Sequence, residues 1–184
     1  MTTEVLGLPR GRALTRSDLD SMPDDGHRYE LLDGVLVVSP APRIVHQQVS
    51  GKLFRLLHAS AVDGTLEVLF APFDVLLSED TVIQPDLIVA PRESFTDRDL
   101  PGPPLLAVEV LSPSTRGIDL MLKKERLQRA GCPHYWVVDP DEPSITAWTL
   151  VDGAYVEVAR ATGGATFDVA DPLAVRLTPA SLVD

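Results

Sequence analysis

The chain has 184 residues, of which 45% are hydrophobic, and this composition predicts one domain with a core large enough to fold alone. The single cysteine, Cys132, excludes an internal disulfide and a cysteine-based zinc site. The sequence shows no apolar leader and no run near the ~20 apolar residues of a membrane span, so a cytoplasmic protein without membrane contact is expected. The net charge of −11 argues against a surface that binds nucleic acid throughout, because phosphate binding depends on Lys and Arg.

The first third of the chain predicts a short helix, a hairpin and a longer helix. Thr15 and Asp18 are spaced as a capping box, which opens a short helix. Asp33-Gly34 stands between two β-rich runs and is typical of a type I′ hairpin turn. An amphipathic helix of about four turns follows, predicted by apolar residues at helical spacing: Val45, Val49, Leu53, Leu56 and Leu57.

Strand-like runs dominate the rest of the chain, in "TLEVLFAPFDVLL", "VIQPDLIVA", "LLAVEVLS" and "HYWVVDP". A second long helix, "STRGIDLMLKKERLQRAGC", interrupts them, and the tail predicts short antiparallel strands. Middle strands that are apolar on both faces need cover on both faces. The predicted fold class is therefore α/β, as a single domain over residues 1–184 with a core at about 28–140. Its central mixed β-sheet is flanked by helices, with an N-terminal hairpin and a C-terminal β extension.

Two of the apolar strands carry an acid, Asp86 in "VIQPDLIVA" and Glu109 in "LLAVEVLS". Because side chains alternate along a strand, Asp86 shares a face with Ile88, and Glu109 shares one with Ala107 and Leu111. If the strands are neighbours with matching faces, the two carboxylates converge and need a shared proton or a bridging cation. Oxygen ligands suit Mg²⁺ or Mn²⁺. Either acid alone is better explained as an edge residue or as half of a structural ion pair, but the two together favour a site.

The second long helix carries Asp119 and Lys123 at i,i+4 spacing, on one face and about 5–6 Å apart at Cβ. One interpretation is a solvated helix face, and the other is that Lys123 faces the acids and stabilises charge in a transition state. Glu30 in the hairpin and His46 early in the first long helix complete the polar candidates. Taken alone, Glu30 is expected on the surface and His46 in a structural hydrogen bond.

Four segments together resemble the Uma-type restriction endonuclease family, a branch of the PD-(D/E)XK nuclease superfamily. They are "RYELLDGVLVVSPAPRIVHQQVSGKL", "QPDLIV", "AVEVLSPSTRGIDLMLKK" and "AGCPHYWVVDP". The similarity runs from about Tyr29 to Pro140 in the same order and spacing. The resemblance implies a sheet flanked by helices, with metal-binding acids on two central strands.

The resemblance also implies roles for individual residues. Asp86 and Glu109 would be the ligands of Mg²⁺ or Mn²⁺, helped by the carbonyl of Val110, and Glu30 would complete the carboxylate cluster. The superfamily usually has a Lys two residues after the second acid, where this chain has Leu111. The Uma-type pattern instead places a Lys on the following helix, and it matches Lys123.

The remaining candidates support that site. Asp119, one turn before the lysine, and His46 are supporting residues. Arg116, Lys124 and Arg129 on the basic helix would supply a local positive field for nucleic acid. The family often has Tyr at Leu127 and an acid at His134, and these departures predict reduced activity with metal binding retained.

Metal-dependent hydrolysis of phosphodiester bonds, with DNA as the substrate, is therefore the leading functional hypothesis. The alternative is a nuclease-like binding or assembly module without turnover. A two-carboxylate glycosidase is disfavoured, because sugar sites are rich in aromatics and the chain has two Trp, neither close in sequence to the acids. A homodimer is expected by analogy with enzymes that cut both strands.

Overall fold

The computed structural model describes residues 8–9, 11–113 and 116–184. Its helices are α1 (Arg16–Leu19), α2 (Ile44–Ser60), α3 (Lys124–Ala130) and α4 (Pro179–Val183), with a 3₁₀ turn at Arg92–Ser94 and a π-helical turn at Ile118–Lys123 that leads into α3. The strands are β1 (Arg28–Leu32), β2 (Val35–Ser39), β3 (Leu66–Phe70), β4 (Asp74–Ser78), β5 (Thr81–Ile83), β6 (Leu87–Pro91), β7 (Asp99–Pro101), β8 (Leu106–Val110), β9 (His134–Asp139), β10 (Ser144–Val151), β11 (Ala154–Thr162), β12 (Phe167–Val169) and β13 (Val175–Leu177).

A six-stranded sheet in the order β11-β10-β9-β8-β6-β3 forms the centre of the molecule. Only β8 and β9 run parallel in it, so the predicted mixed sheet is confirmed. The N-terminal hairpin lies at one edge of a second sheet, in the order β2-β1-β5-β4-β7. In the C-terminal extension β10 and β11 continue the central sheet, while β12 and β13 form a pair of their own.

Both faces of the central sheet are covered, so every residue of β8 and β9 is buried. One face packs against α2, α4 and the β12–β13 pair, through residues such as Val108 and Val110 of β8. The other face packs against the second sheet and α3, through Ala107 and Leu111. The prediction of helices on both faces is therefore incomplete, because much of the second face is covered by a sheet.

Several local predictions differ from the structure. The strand expected over "VIQPDLIVA" is two strands in different sheets, because Pro85 has no N–H for a ladder and the chain crosses from β5 to β6 there. Asp86 consequently lies just before β6 and not within a strand. Leu56 is 36% exposed, although its spacing predicts a buried position. The second long helix includes a π-helical turn at Ile118–Lys123.

The hairpin turn between β1 and β2 supports a stability prediction. Asp33 and Gly34 have φ values of 51° and 73°, as a type I′ turn requires, and a Cβ on Gly34 would lie 2.5 Å from the Cβ of Ala13. Gly64 has φ 72° but no heavy atom within 4 Å of such a Cβ. Both Gly→Ala changes impose the cost of a positive φ, about 1–2 kcal/mol. We expect Gly34→Ala to lower the free energy of unfolding in urea by about 1–3 kcal/mol more than Gly64→Ala, because it also overpacks the turn. Equal losses of unfolding free energy in the two variants would show that Ala13 moves aside without a cost in stability.

Candidate active site

Asp86 and Glu109 meet where β6 and β8 pair. The antiparallel register places Leu87 opposite Val108, so continuing it by one residue brings Asp86 to Glu109. The backbone N–H of Val110 donates a 2.8 Å hydrogen bond to Asp86 Oδ2, which fixes the Asp86 carboxylate beside this strand. Both acids are buried, with 4% and 0% of their surface exposed. The two acids are therefore neighbours in the fold, with the Asp86 carboxylate held by the strand that carries Glu109.

Positively charged and hydrogen-bonding groups surround the Asp86 carboxylate. Arg28 Nη1 donates to Oδ1 over 3.1 Å, and His46 Nε2 lies 3.1 Å from Oδ2. Burial by itself would raise the pKa of Asp86, but the hydrogen bond to His46 and the charges of His46, Arg28 and Lys123 together hold it well below its usual value. Asp86 is therefore an ionised carboxylate inside the protein.

Lys123 lies among three further carboxylates. Its Nζ is 2.9 Å from Glu30 Oε1, 3.2 Å from Glu109 Oε1 and 3.6 Å from Asp119 Oδ1. Glu30 comes from β1 of the second sheet, Glu109 from the central sheet, and Asp119 and Lys123 from the π-helical turn. The lysine thus joins three parts of the fold through buried ion pairs.

Burial disfavours the charged forms of both Glu109 and Lys123, but the neighbouring acids reinforce this effect on Glu109 and outweigh it on Lys123. Burial raises the pKa of Glu109 well above its usual value, and the charges of Asp119, Asp86 and Glu30 raise it further, while the charge of Lys123 opposes the rise. Burial would lower the pKa of Lys123, but Glu109, Glu30 and Asp119 more than offset this and raise it, so Lys123 stays protonated. Glu109 is therefore the acid in the cluster that most needs a proton or another cation.

The donor set fits a hard divalent cation in two respects. Among the described residues, neither oxygen of Glu109 has a hydrogen-bond partner, its contact with Lys123 being an ion pair at 3.2 Å, and Glu30 Oε2 has no hydrogen-bond partner either. The cluster also has more carboxylates than permanent cations, with Lys123 and Arg28 facing the four acids Glu30, Asp86, Glu109 and Asp119. A divalent ion would satisfy these oxygens and balance the charge.

Within the described ranges, however, no three His, Cys, Asp or Glu side chains are grouped as a ready-made metal site. The set suggested by the family resemblance needs only two carboxylates, those of Asp86 and Glu109, and the carbonyl of Val110. Mg²⁺ commonly binds through one or two carboxylates and keeps several waters. That set remains a prediction.

The structure corrects two expectations about single residues. Glu30 is 1% exposed and not on the surface, because the second sheet turns this face of the hairpin toward the central sheet. Asp119 and Lys123 are 2% and 1% exposed, so the solvated helix face is wrong for this pair. His46 does make the hydrogen bond expected of a structural histidine, but with Asp86 as its partner.

The three basic residues predicted to attract nucleic acid already have partners. Arg116 Nη1 pairs with Asp139 Oδ2 at 2.7 Å, and Arg129 Nη2 pairs with Glu125 Oε1 at 2.6 Å. Lys124 Nζ lies 3.6 Å from the centroid of the Trp148 ring. Their role in binding nucleic acid stays a prediction.

Three residues of the site were not among the sequence candidates. Arg28 shares a strand face with Glu30, and this i,i+2 spacing is the signal that could have identified it. The backbone N–H of Gln84 donates to Glu30 Oε1 over 2.7 Å, and the Tyr135 hydroxyl donates to the carbonyl of Asp119 over 2.8 Å. No sequence pattern predicts these last two contacts, because each joins segments that are distant in the chain or in different layers.

A cleft of about 770 Å³ opens beside the acids. Asp86, Arg28 and His46 line it, and its wall also includes the aromatic rings of Phe54 and Phe70. This volume lies within the range of small-molecule sites. Of the buried carboxylates in the part of the chain that the structure describes, Asp86 is the one that lines the cleft.

A solved structure shares this fold. A crystal structure titled as that of "a putative nuclease belonging to DUF820", from Anabaena variabilis ATCC 29413, superposes with a TM-score of 0.74 at 15% sequence identity. The similarity covers 92% of this chain and 97% of that one. No curated protein matches the sequence.

The model of the Uma2 family, described as "Putative restriction endonuclease", matches residues 16–180. The chain therefore belongs to the Uma2 family, as the four sequence segments indicated. No helix among the described residues is long and apolar enough to cross a membrane.

Proposed function

We propose that this protein is a metal-dependent endonuclease that hydrolyses phosphodiester bonds of DNA. One observation carries the proposal: buried acids from three parts of the fold converge around Lys123 beside a cleft, in a chain of the Uma2 family. Burying this many charges costs folding free energy, so we do not expect these acids to serve stability alone. Perturbed acids beside a cleft are typical of catalytic sites.

In this proposal Asp86, Glu109 and the Val110 carbonyl hold Mg²⁺ or Mn²⁺. The ion, when bound, supplies a water of lowered pKa and an electrophile for the phosphate. Arg28, His46 and the Val110 N–H keep Asp86 ionised and oriented toward the strand. Lys123 remains protonated and supplies positive charge where negative charge develops on the phosphate. Glu30 and Asp119 hold the Lys123 ammonium in place.

The test is direct hydrolysis by the purified full-length protein. Supercoiled plasmid and single-stranded circular DNA are incubated with the protein and Mg²⁺, Mn²⁺ or EDTA. We expect nicked and linear products with either metal ion and intact DNA in EDTA. Intact DNA in every metal-containing reaction would contradict the proposal.

A second candidate is a nuclease-like binding module without turnover. A specific observation favours it, because the cations of the cluster are already engaged with its acids. Lys123 pairs with Glu30 and Glu109, and Arg28 pairs with Asp86. Titration with Mn²⁺ in a calorimeter separates the two candidates, because a pure scaffold has no saturable site while the endonuclease does.

We also propose that the protein acts as a homodimer. β11 is an edge strand of the central sheet, and Val156 and Val158 on it are about half exposed, at 49% and 56%. Apolar side chains on an unpaired edge favour association with another strand. In the central sheet, β10 and β9 lie between β11 and β8, the strand that carries Glu109.

A further inference from the structure

The wall of the cleft carries two aromatic rings that the proposed chemistry does not use. Phe70 is the last residue of β3, which is the edge strand of the central sheet opposite β11, and 59% of its surface is exposed. Its ring packs edge-on against Phe54 of α2, with centroids 5.2 Å apart and an interplanar angle of 88°. A single exposed apolar residue is ordinary on a protein surface. Two contacting aromatic rings in the wall of the cleft that contains a catalytic candidate are a more specific feature.

Phe70 is also held close to Asp86. It pairs with Leu87 across β3 and β6, and the N–H of Ala71, the next residue, donates to the backbone carbonyl of Asp86 over 3.0 Å. A group that stacks on the Phe70 ring is therefore next to the segment that positions Asp86. For a nucleic acid, that group would be a base beside the phosphate that reaches the acids.

The charges of the protein disfavour a binding mode that depends on phosphates alone. Binding along a duplex backbone depends on free Lys and Arg. The net charge is −11, and the arginines that line the cleft are already paired, Arg28 with Asp86 and Arg43 with Asp141. Affinity must come largely from another source, and base stacking on aromatic side chains is a source that needs no net positive charge.

We propose that the cleft binds an unpaired strand of DNA and that Phe70, supported by Phe54, stacks on a base flanking the scissile phosphate. The bases of a duplex are stacked on one another, whereas an unpaired base can lie on a side chain. This inference rests on the proposed endonuclease function and specifies its substrate as single-stranded or locally opened DNA. Phe70 is thereby a specificity residue and has no part in the hydrolysis itself.

The experiment measures binding in EDTA, so that hydrolysis does not contribute. Fluorescence anisotropy compares three labelled probes of equal length: an oligothymidylate, an abasic strand with the same phosphates, and a duplex. The proteins are wild type, Phe70→Ala, Phe70→Tyr and the control Val62→Ala, a residue 85% exposed outside the cleft. Thermal unfolding confirms that each variant is folded.

Wild type and Val62→Ala are expected to bind the oligothymidylate roughly 5- to 100-fold more tightly than the abasic strand, and also more tightly than the duplex. Phe70→Ala should lose this preference and keep its affinity for the abasic strand, while Phe70→Tyr retains the preference. Wild-type protein that binds the abasic strand or the duplex as well as the oligothymidylate would overturn the inference, and so would a full preference in Phe70→Ala.

The two proposals fail in different ways. A wild-type protein that prefers bases but cuts no DNA with Mg²⁺ or Mn²⁺ refutes the endonuclease and leaves the stacking subsite standing. A protein that cuts plasmid but binds the abasic strand equally well refutes the subsite and leaves the endonuclease standing.

Discussion

Glu109→Gln and Asp86→Asn are each expected to reduce metal-dependent DNA cleavage roughly 100-fold or more, since each removes a charged oxygen ligand from the proposed site. Both changes keep the shape of the side chain, so loss of activity cannot be attributed to a cavity. Asp86 contacts Arg28, His46 and the Val110 N–H, whereas Glu109 has an ion pair with Lys123 and no hydrogen-bond partner among the described residues. Glu109→Gln should therefore disturb stability less than Asp86→Asn.

Initial rates of plasmid nicking with Mg²⁺ or Mn²⁺ measure this effect. Glu93→Gln is a matched control, because Glu93 is an exposed carboxylate of the 3₁₀ turn, away from the cluster. It should cleave like wild type. Cleavage that persists unchanged in both Glu109→Gln and Asp86→Asn would refute the assignment of these acids to the active site. Calorimetry with Mn²⁺ gives a second readout, with the saturable site weakened in both variants.

Lys123→Met is expected to cause a large loss of stability as well as of activity. The change leaves Glu30, Glu109 and Asp119 without the ammonium that lies 2.9 to 3.6 Å from them. Removing one partner of a buried ion pair costs about 3–5 kcal/mol, because the remaining charge is uncompensated. Lys124→Met is the matched control. Lys124 is the next residue, half-buried on the Trp148 ring, and its loss should cost about 1 kcal/mol or less.

The loss in Lys123→Met should depend on pH, with a sign that follows from the pKa of Glu109. Burial already raises this pKa in the wild type, and the charge of Lys123 opposes the rise. Without the lysine, the folded variant binds protons on its buried acids at pH values where the unfolded chain has released them. Its free energy of unfolding, relative to Lys124→Met, should therefore decrease as the pH rises from about 5 to 8.

Urea unfolding of the two lysine variants at several pH values measures this dependence. Adding Glu109→Gln to Lys123→Met should recover part of the stability at pH 8, because one buried negative charge is then absent. Equal stability of the two lysine variants at pH 8 would contradict the buried-charge interpretation, and so would a difference that does not change with pH.

Local geometry made a substantial part of this site predictable from the sequence. A strand alternates its side chains whatever surrounds it, so the pattern around Glu109 identified the face it shares with Ala107 and Leu111. The i,i+4 spacing of Asp119 and Lys123 places them on one helix face, and their ion pair survives the π-helical turn. The Asp33-Gly34 pair indicated the hairpin, because a type I′ turn needs positive φ at both central residues and few residue types tolerate it.

The tertiary structure alone decided which of these residues are buried together. The sequence of the hairpin does not reveal that a second sheet covers the central one, so Glu30 looked like a surface residue although it is buried beside Lys123. The contacts of Asp86 with Arg28 and His46 join residues 58 and 40 positions apart, and no periodic pattern spans such distances. The charge state of a buried acid depends on all the charges around it, and those charges come from separate segments of the chain. The sequence by itself therefore determined which acids and which lysine to consider, and the packing of two sheets decided that they form one cluster.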